Sequence, residues 1–277
     1  MVPPRTARRL DFLRAHETPD GRELNLADVR WLDPLHLVGI AAEAHQAQQA
    51  GTRLRLVGVQ ADQANYAARM RVGRIIEEFG GEHALPEVAE RDQHDSLLEV
   101  RPLRNPGDVA ELTELVYNRV AVTDPTAAHA LHVALGEVGE NVCQHARSIG
   151  FMAAQTIAEH GVLRFAVADS GVGLLSTLTG LGADDDRGAI ELALAGIRRW
   201  QTPGHGYGLP RTVEIITQLQ GEMLLASGLA ARKVEAGRVF DRELDRPYLG
   251  TIFEGSVPAH PTPAARPESA NTGPERG

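Results

Sequence analysis

Lysine is nearly absent: Lys233 is the one lysine among 28 Lys+Arg residues, so any chemistry that needs a primary amine must use that side chain. Cysteine occurs once, at Cys143, which excludes an internal disulfide and fits a reducing compartment. Basic charge is also short. The 37 Asp+Glu outnumber the Lys+Arg, and the formal net charge of −9 gives no support to a general nucleic-acid-binding role. No uninterrupted apolar run approaches the length of a membrane span. The N-terminal stretch MVPPRTARRLDFLRAHE lacks the apolar core of a secretory signal. The expectation is a soluble cytoplasmic protein with neither a membrane nor a direct nucleic-acid partner. GxxxxGK[ST] does not occur, which argues against a P-loop nucleotide site. His129 and His132 are three apart, but no HExxH or cysteine pair accompanies them, so a metalloenzyme is poorly supported.

What is present suits a globular chain. At 277 residues, with 43% hydrophobic and 23% charged residues, there is ample length for a core. Residues 8–80 alternate short apolar segments, Leu24–Val29 and Leu54–Val59, with helical ones, about Leu35–Ala50 and Ala61–Phe79, the latter stopped by Gly80-Gly81. That spacing predicts a small α/β layer. Residues 81–107 read as a connector that includes an edge strand, Leu97–Leu103. Helices are expected at about Asp108–Val120, Thr126–Ser148 and Leu209–Gln220. Strands are expected at Val162–Ala168, Met223–Ala226, Arg238–Phe240 and Thr251–Val257. The tail 259–277, rich in Pro, Ala and Gly, reads as disordered.

Three stretches carry candidate chemistry. In ALGEVGENVCQHA, Glu137, Asn141 and His145 recur every four residues and would form one polar row beside an apolar stripe of Leu131, Leu135, Val138 and Val142. Alone, that row fits a solvated helix face as well as a pocket wall. In FAVADSGVGL, an apolar strand ends in Asp169 and is followed by Gly171 and Gly173. A carboxylate there can accept from an exocyclic amine while the glycines admit a flat ring or a phosphate, although DxGxG also suits an ordinary turn. In GHGYGLP, Gly204, Gly206 and Gly208 lead into a helix whose first N–H groups would form an anion site.

The order of these features, closed by the strand GTIFEGSVP, resembles the GHKL (histidine-kinase-like) ATPase domain over roughly residues 108–258. The resemblance implies a Bergerat-type two-layer α/β sandwich with a mixed sheet that binds ATP and Mg²⁺. It places Asn141 on the metal and Glu137 as general base or polarising group. It places Asp169 on the adenine amine with Thr251 nearby through water, Gly171 and Gly173 along the base, and Gly204, Gly206 and Gly208 at the phosphates. Leu174–Pro203, including Arg198-Arg199, would be the ATP lid, with those arginines open to either phosphate contact or plain helix capping.

Residues 8–80 are similar to a STAS domain, the fold of anti-anti-sigma factors, with Asp33 in the loop that such regulators phosphorylate. Here Pro34-Leu35-His36 stand where a serine follows that Asp, so a docking or dimerising module is expected instead of a phosphoacceptor. The whole is expected as a two-domain α/β (α+β) protein with segments 8–80, 81–107, 108–258 and 259–277. No helical hairpin with a phosphoacceptor His precedes the ATPase region, which weakens the sensor-kinase reading. The resemblance implies an anti-sigma-type serine/threonine kinase acting on a separate STAS-type or sigma-type regulator, with homodimer formation open. The alternatives are a nucleotide-gated switch without kinase activity and a histidine-kinase-type ATPase acting in trans.

Overall fold

The computed structural model describes Leu10 and residues 15–88, 97–157, 161–196 and 208–258. Two sheets organise the chain. In the first, strand β1 (His16–Thr18) pairs antiparallel with β2 (Gly21–Asn25); β2, β3 (Leu54–Val57) and β4 (Glu82–His83) then run parallel, in the order β1-β2-β3-β4. Helix α1 (Pro34–Gln49) crosses from β2 to β3. Helices α2 (Ala61–Arg69) and α3 (Val72–Glu78) cross from β3 to β4.

One helix was expected over Ala61–Phe79, and the structure breaks it at Met70–Arg71. Arg71 takes a left-handed φ of 63° and pairs with Glu99 at 2.7 Å. The Met70 carbonyl accepts the Val100 N–H (3.1 Å) from the neighbouring sheet. That long-range bond, together with burial of Val72, Ile75 and Ile76, overrides local helix propensity.

The second sheet has five strands in the order β5-β6-β7-β9-β8: β5 (Leu97–Leu103), β6 (Gly150–Ile157), β7 (Val162–Asp169), β8 (Glu222–Glu235) and β9 (Arg238–Pro258). Every neighbouring pair is antiparallel, which corrects the expected mixed sheet. The connections explain it. β6–β7 and β8–β9 are hairpins, and strands that run in the same direction, such as β7 and β8, are separated by one that runs the other way, here β9. β6 was not foreseen, and the expected separate strands within 223–257 are one long ribbon. Register shifts beside Gly228 bend that ribbon back, so that Lys233 reaches Glu222 of its own strand at 2.9 Å.

Helices α4 (Pro106–Ala121) and α5 (Pro125–Asn141) lie between β5 and β6 in the chain. Asn105 and Asp124 accept the first N–H groups of α4 and α5, and each helix carries proline at its start. A π turn (Val142–Ala146) replaces the expected continuation of α5 to Ser148. Between β7 and β8 come α6 (Gly173–Leu178), a 3₁₀ turn (Thr179–Leu181), α7 (Asp186–Leu194) and α8 (Leu209–Gln218).

The five-stranded sheet is apolar on both faces, and the two faces differ in size. Met152, Phe165, Val167, Met223, Leu225 and Phe253 pack in one cluster with Leu112, Leu131 and Leu135 of α4 and α5 and Ile216 of α8. On the other face Ala153, Ala166, Ala168 and Ala226 stand beside Phe151, Leu224 and Ile252, in a cluster shared with α1 and the first sheet. The single-methyl residues let α1 approach closely. Every residue of α1 from Pro34 to Ala47 is buried, so this helix is the core between the two sheets. Burying each of Leu35, Leu37 and Ile40 contributes about 1.5–3 kcal/mol.

The N-terminal end of α1 is fixed by Asp33. Its carboxylate caps the helix through the His36 N–H, accepts His36 Nδ1 at 2.8 Å, and pairs with Arg164 of β7 at 3.3 Å. Asp33 is 1% exposed. This residue is a buried cross-link between α1 and β7.

Candidate functional site

Asp169 ends β7, where the strand's alternation turns its side chain to a buried position, 4% exposed. Its carboxylate accepts the Gly171 N–H at 2.8 Å and both the N–H and the hydroxyl of Thr251 on β9. Burial nevertheless dominates and pushes its pKa up to about 6, the three donors acting the other way. Thr251 is thus bonded directly to Asp169.

Glycine at 171 has a packing reason of its own. A Cβ there would collide with the Ala146 carbonyl, which also accepts the Val172 N–H at 3.2 Å. The π turn delivers that carbonyl, joining the end of α5 to the turn after Asp169. Gly173 then opens α6 with φ +73°. π turns recur at functional sites because the extra residue per turn re-aims side chains.

Asn141 is the last residue of α5 and half-buried, one turn beyond Glu137. Glu137 Oε2 accepts the Gly208 N–H at 2.9 Å, at the N-terminal end of α8. Gly208 has φ +67° and ψ −152°, a conformation suited to glycine alone. Thr212 Oγ1 donates to the Ala134 carbonyl (3.3 Å) and fastens the two helices. His145 was expected in the same polar row; it lies in the π turn, where the α-helical four-residue repeat no longer holds, and is exposed. Gly204, Gly206 and Arg198-Arg199 lie outside the described residues.

Glu137, Asn141, the π turn, Gly171, Asp169 and Thr251 therefore form one continuous path, linked to Gly208 by hydrogen bond. A side-chain amide oxygen such as that of Asn141 could serve as one ligand to a hard cation such as Mg²⁺. Among the described residues no group of three or more His, Cys, Asp or Glu side chains could hold a metal by itself. No helix among them is long and apolar enough to cross a membrane. The sequence matches no protein-family model and no curated protein.

The side of this path facing α1 was not legible in the sequence. His45 Nδ1 lies 2.6 Å from Ser170 Oγ, which lies 2.8 Å from Ser148 Oγ; Gln49 Nε2 donates to Ser148 at 2.9 Å. Gln46 Nε2 donates to the Leu249 carbonyl at 2.6 Å. His45 also packs on Phe79, with ring centroids 4.8 Å apart. Burial, with Arg104 nearby, lowers its pKa and keeps it neutral.

The region expected as a lid is fastened over its described part. The Leu174 N–H bonds Ser227 Oγ at 2.9 Å. Asp186 accepts the Leu229 N–H at 2.7 Å, and Arg232 bridges Glu191 of α7 to Asp241 of the ribbon. Lys233 is held by Glu222 and Glu235. Burial works to lower its pKa but these carboxylates outweigh it and raise it, so the lone lysine is not a free amine base.

Proposed function

We propose that this chain is an ATP-binding regulatory protein of the histidine-kinase-like ATPase superfamily, acting as an anti-sigma-type serine/threonine kinase on a separate STAS-type regulator. The observation that carries the reading is Asp169: a buried carboxylate at a strand end, aimed by Gly171 and Thr251 and joined through the π turn to Asn141 and Glu137. Asp169 would accept the adenine amine. Asn141 would hold Mg²⁺, and Gly208 would offer its N–H to a phosphate at the start of α8. Glu137 would take the proton from, or orient, the attacking hydroxyl. Bound Mg-ATP would supply the transferable phosphoryl group and the cation that offsets its charge.

One contact favours a second reading. Glu137 already occupies the Gly208 N–H, a donor the phosphates would use. A carboxylate that nucleotide must displace suits a switch in which binding, without transfer, changes a protein interface. Mg-ATP binding and phosphate release by wild type beside Glu137→Ala separates the two. Slow release lost in the variant supports the kinase or ATPase; binding without turnover in either supports the switch. No binding by wild type overturns both.

A further inference from the structure

α1 is apolar and alanine-rich, yet it buries His45 and Gln46 at 7% exposure each, where unpaired polar groups are costly. Both are spent on the segments that aim Asp169. Ser170, bonded by His45, is the residue after Asp169. Leu249, whose carbonyl is taken by Gln46, stands two residues before Thr251. Between them, Gly250 lies so close to Asp169 that a Cβ would collide with the Asp169 carbonyl oxygen. Gln49 adds a third tie through Ser148 to Ser170. One helix from the first sheet's layer thus grips both segments that supply donors to the Asp169 carboxylate, the turn after β7 and the middle of β9.

We propose that His45 and Gln46 are positioning residues for the adenine end of the nucleotide site, so that the N-terminal layer sets adenine-nucleotide affinity and nucleotide in turn tightens that layer. This rests on the ATP reading above. The coupling is reciprocal by linkage: whatever affinity the two ties add for nucleotide, nucleotide returns as protection of α1. The ties act on the base end alone, whereas the phosphate end is built by α5 and α8 on the opposite face of the sheet.

The test uses the full chain and four proteins: wild type, Gln46→Met, His45→Leu and His45→Asn, the last being the conservative rescue that restores a polar atom near the Nδ1 position. Binding of Mg-ATP and of inorganic tripolyphosphate is measured for each. Each lost tie is expected to weaken ATP about three- to tenfold while leaving tripolyphosphate unchanged, with His45→Asn recovering most of the loss. Equal weakening of both ligands would mark general loosening and overturn the proposal, as would unchanged ATP binding. If wild type binds tripolyphosphate but not ATP, the adenine reading itself fails. Should a variant not fold, amide exchange on wild type decides: ATP is expected to slow exchange across residues 34–49, and no slowing overturns the coupling.

Discussion

Glu137 and Gly208 lie 71 positions apart in the chain and are joined by a 2.9 Å bond from the glycine N–H to the carboxylate. The acid that caps α8 from outside is the same one proposed to act on the nucleophile. Glu137→Gln keeps an accepting oxygen and is expected to melt within about 0.5 kcal/mol of wild type. Glu137→Ala should cost about 1 kcal/mol, as the loss of other caps does. Both should bind Mg-ATP and lose about 10²-fold or more in phosphate release. Release that survives in Glu137→Gln would remove this residue from the chemistry.

Asp169 gives nucleotide binding a pH signature. Its pKa is raised to about 6 by burial, and only the ionised carboxylate accepts freely from an amine. ATP affinity should fall as pH drops from 7 to 5, by about tenfold, while Asp169→Asn binds weakly and loses that component. Calorimetry at several pH values, with tripolyphosphate as control, reads this directly. A wild-type profile that follows tripolyphosphate would exclude Asp169 as the adenine acceptor.

Glu43, on the buried α1, is pushed from 4.5 to about 7 because desolvation outweighs the Arg22 guanidinium 3.2 Å away. A carboxyl raised in the folded state binds more protons folded than unfolded between those values. Its contribution therefore falls as pH rises from about 4.5 through about 7. Glu43→Gln should match wild type near pH 4 and exceed it at pH 8 by on the order of 3 kcal/mol. Urea melts at both pH values check this; equal stability at pH 8 would refute the buried charge.

Asp33 ties α1 to β7. Asp33→Ala removes a helix cap and leaves His36 and Arg164 without their carboxylate, at an expected cost of about 2–4 kcal/mol in chemical denaturation. A loss below about 1 kcal/mol would mean the cross-link carries little weight.

Legibility followed the range of the interactions. The two-sheet α/β character and the edge strand Leu97–Leu103 could be read because local periodicity and turn residues encode them. Asp169 stood out because a carboxylate closing an apolar strand before two glycines is a compact pattern. β6 was missed since its small and flexible residues, Met152, Ala153 and Ala154, carry little strand propensity. The break at Arg71 depends on a bond from Val100, and the contact of His45 with Ser170 spans 125 positions, so no window of sequence holds either. Nor does the row of alanines on β6, β7 and β8 announce what covers it: Ala166, Ala168 and Ala226 read as ordinary buried strand residues until α1 is seen lying on them and on Ala153.

That placement of α1 has a consequence for synthesis. The helix is complete by residue 49, but the strand that closes its far side, β9, ends at Pro258. At about 5–20 residues per second, α1 waits roughly 10–40 s on the ribosome before its last partner exists. During that interval the part of its alanine and leucine surface that β6, β7 and β9 will cover is still open.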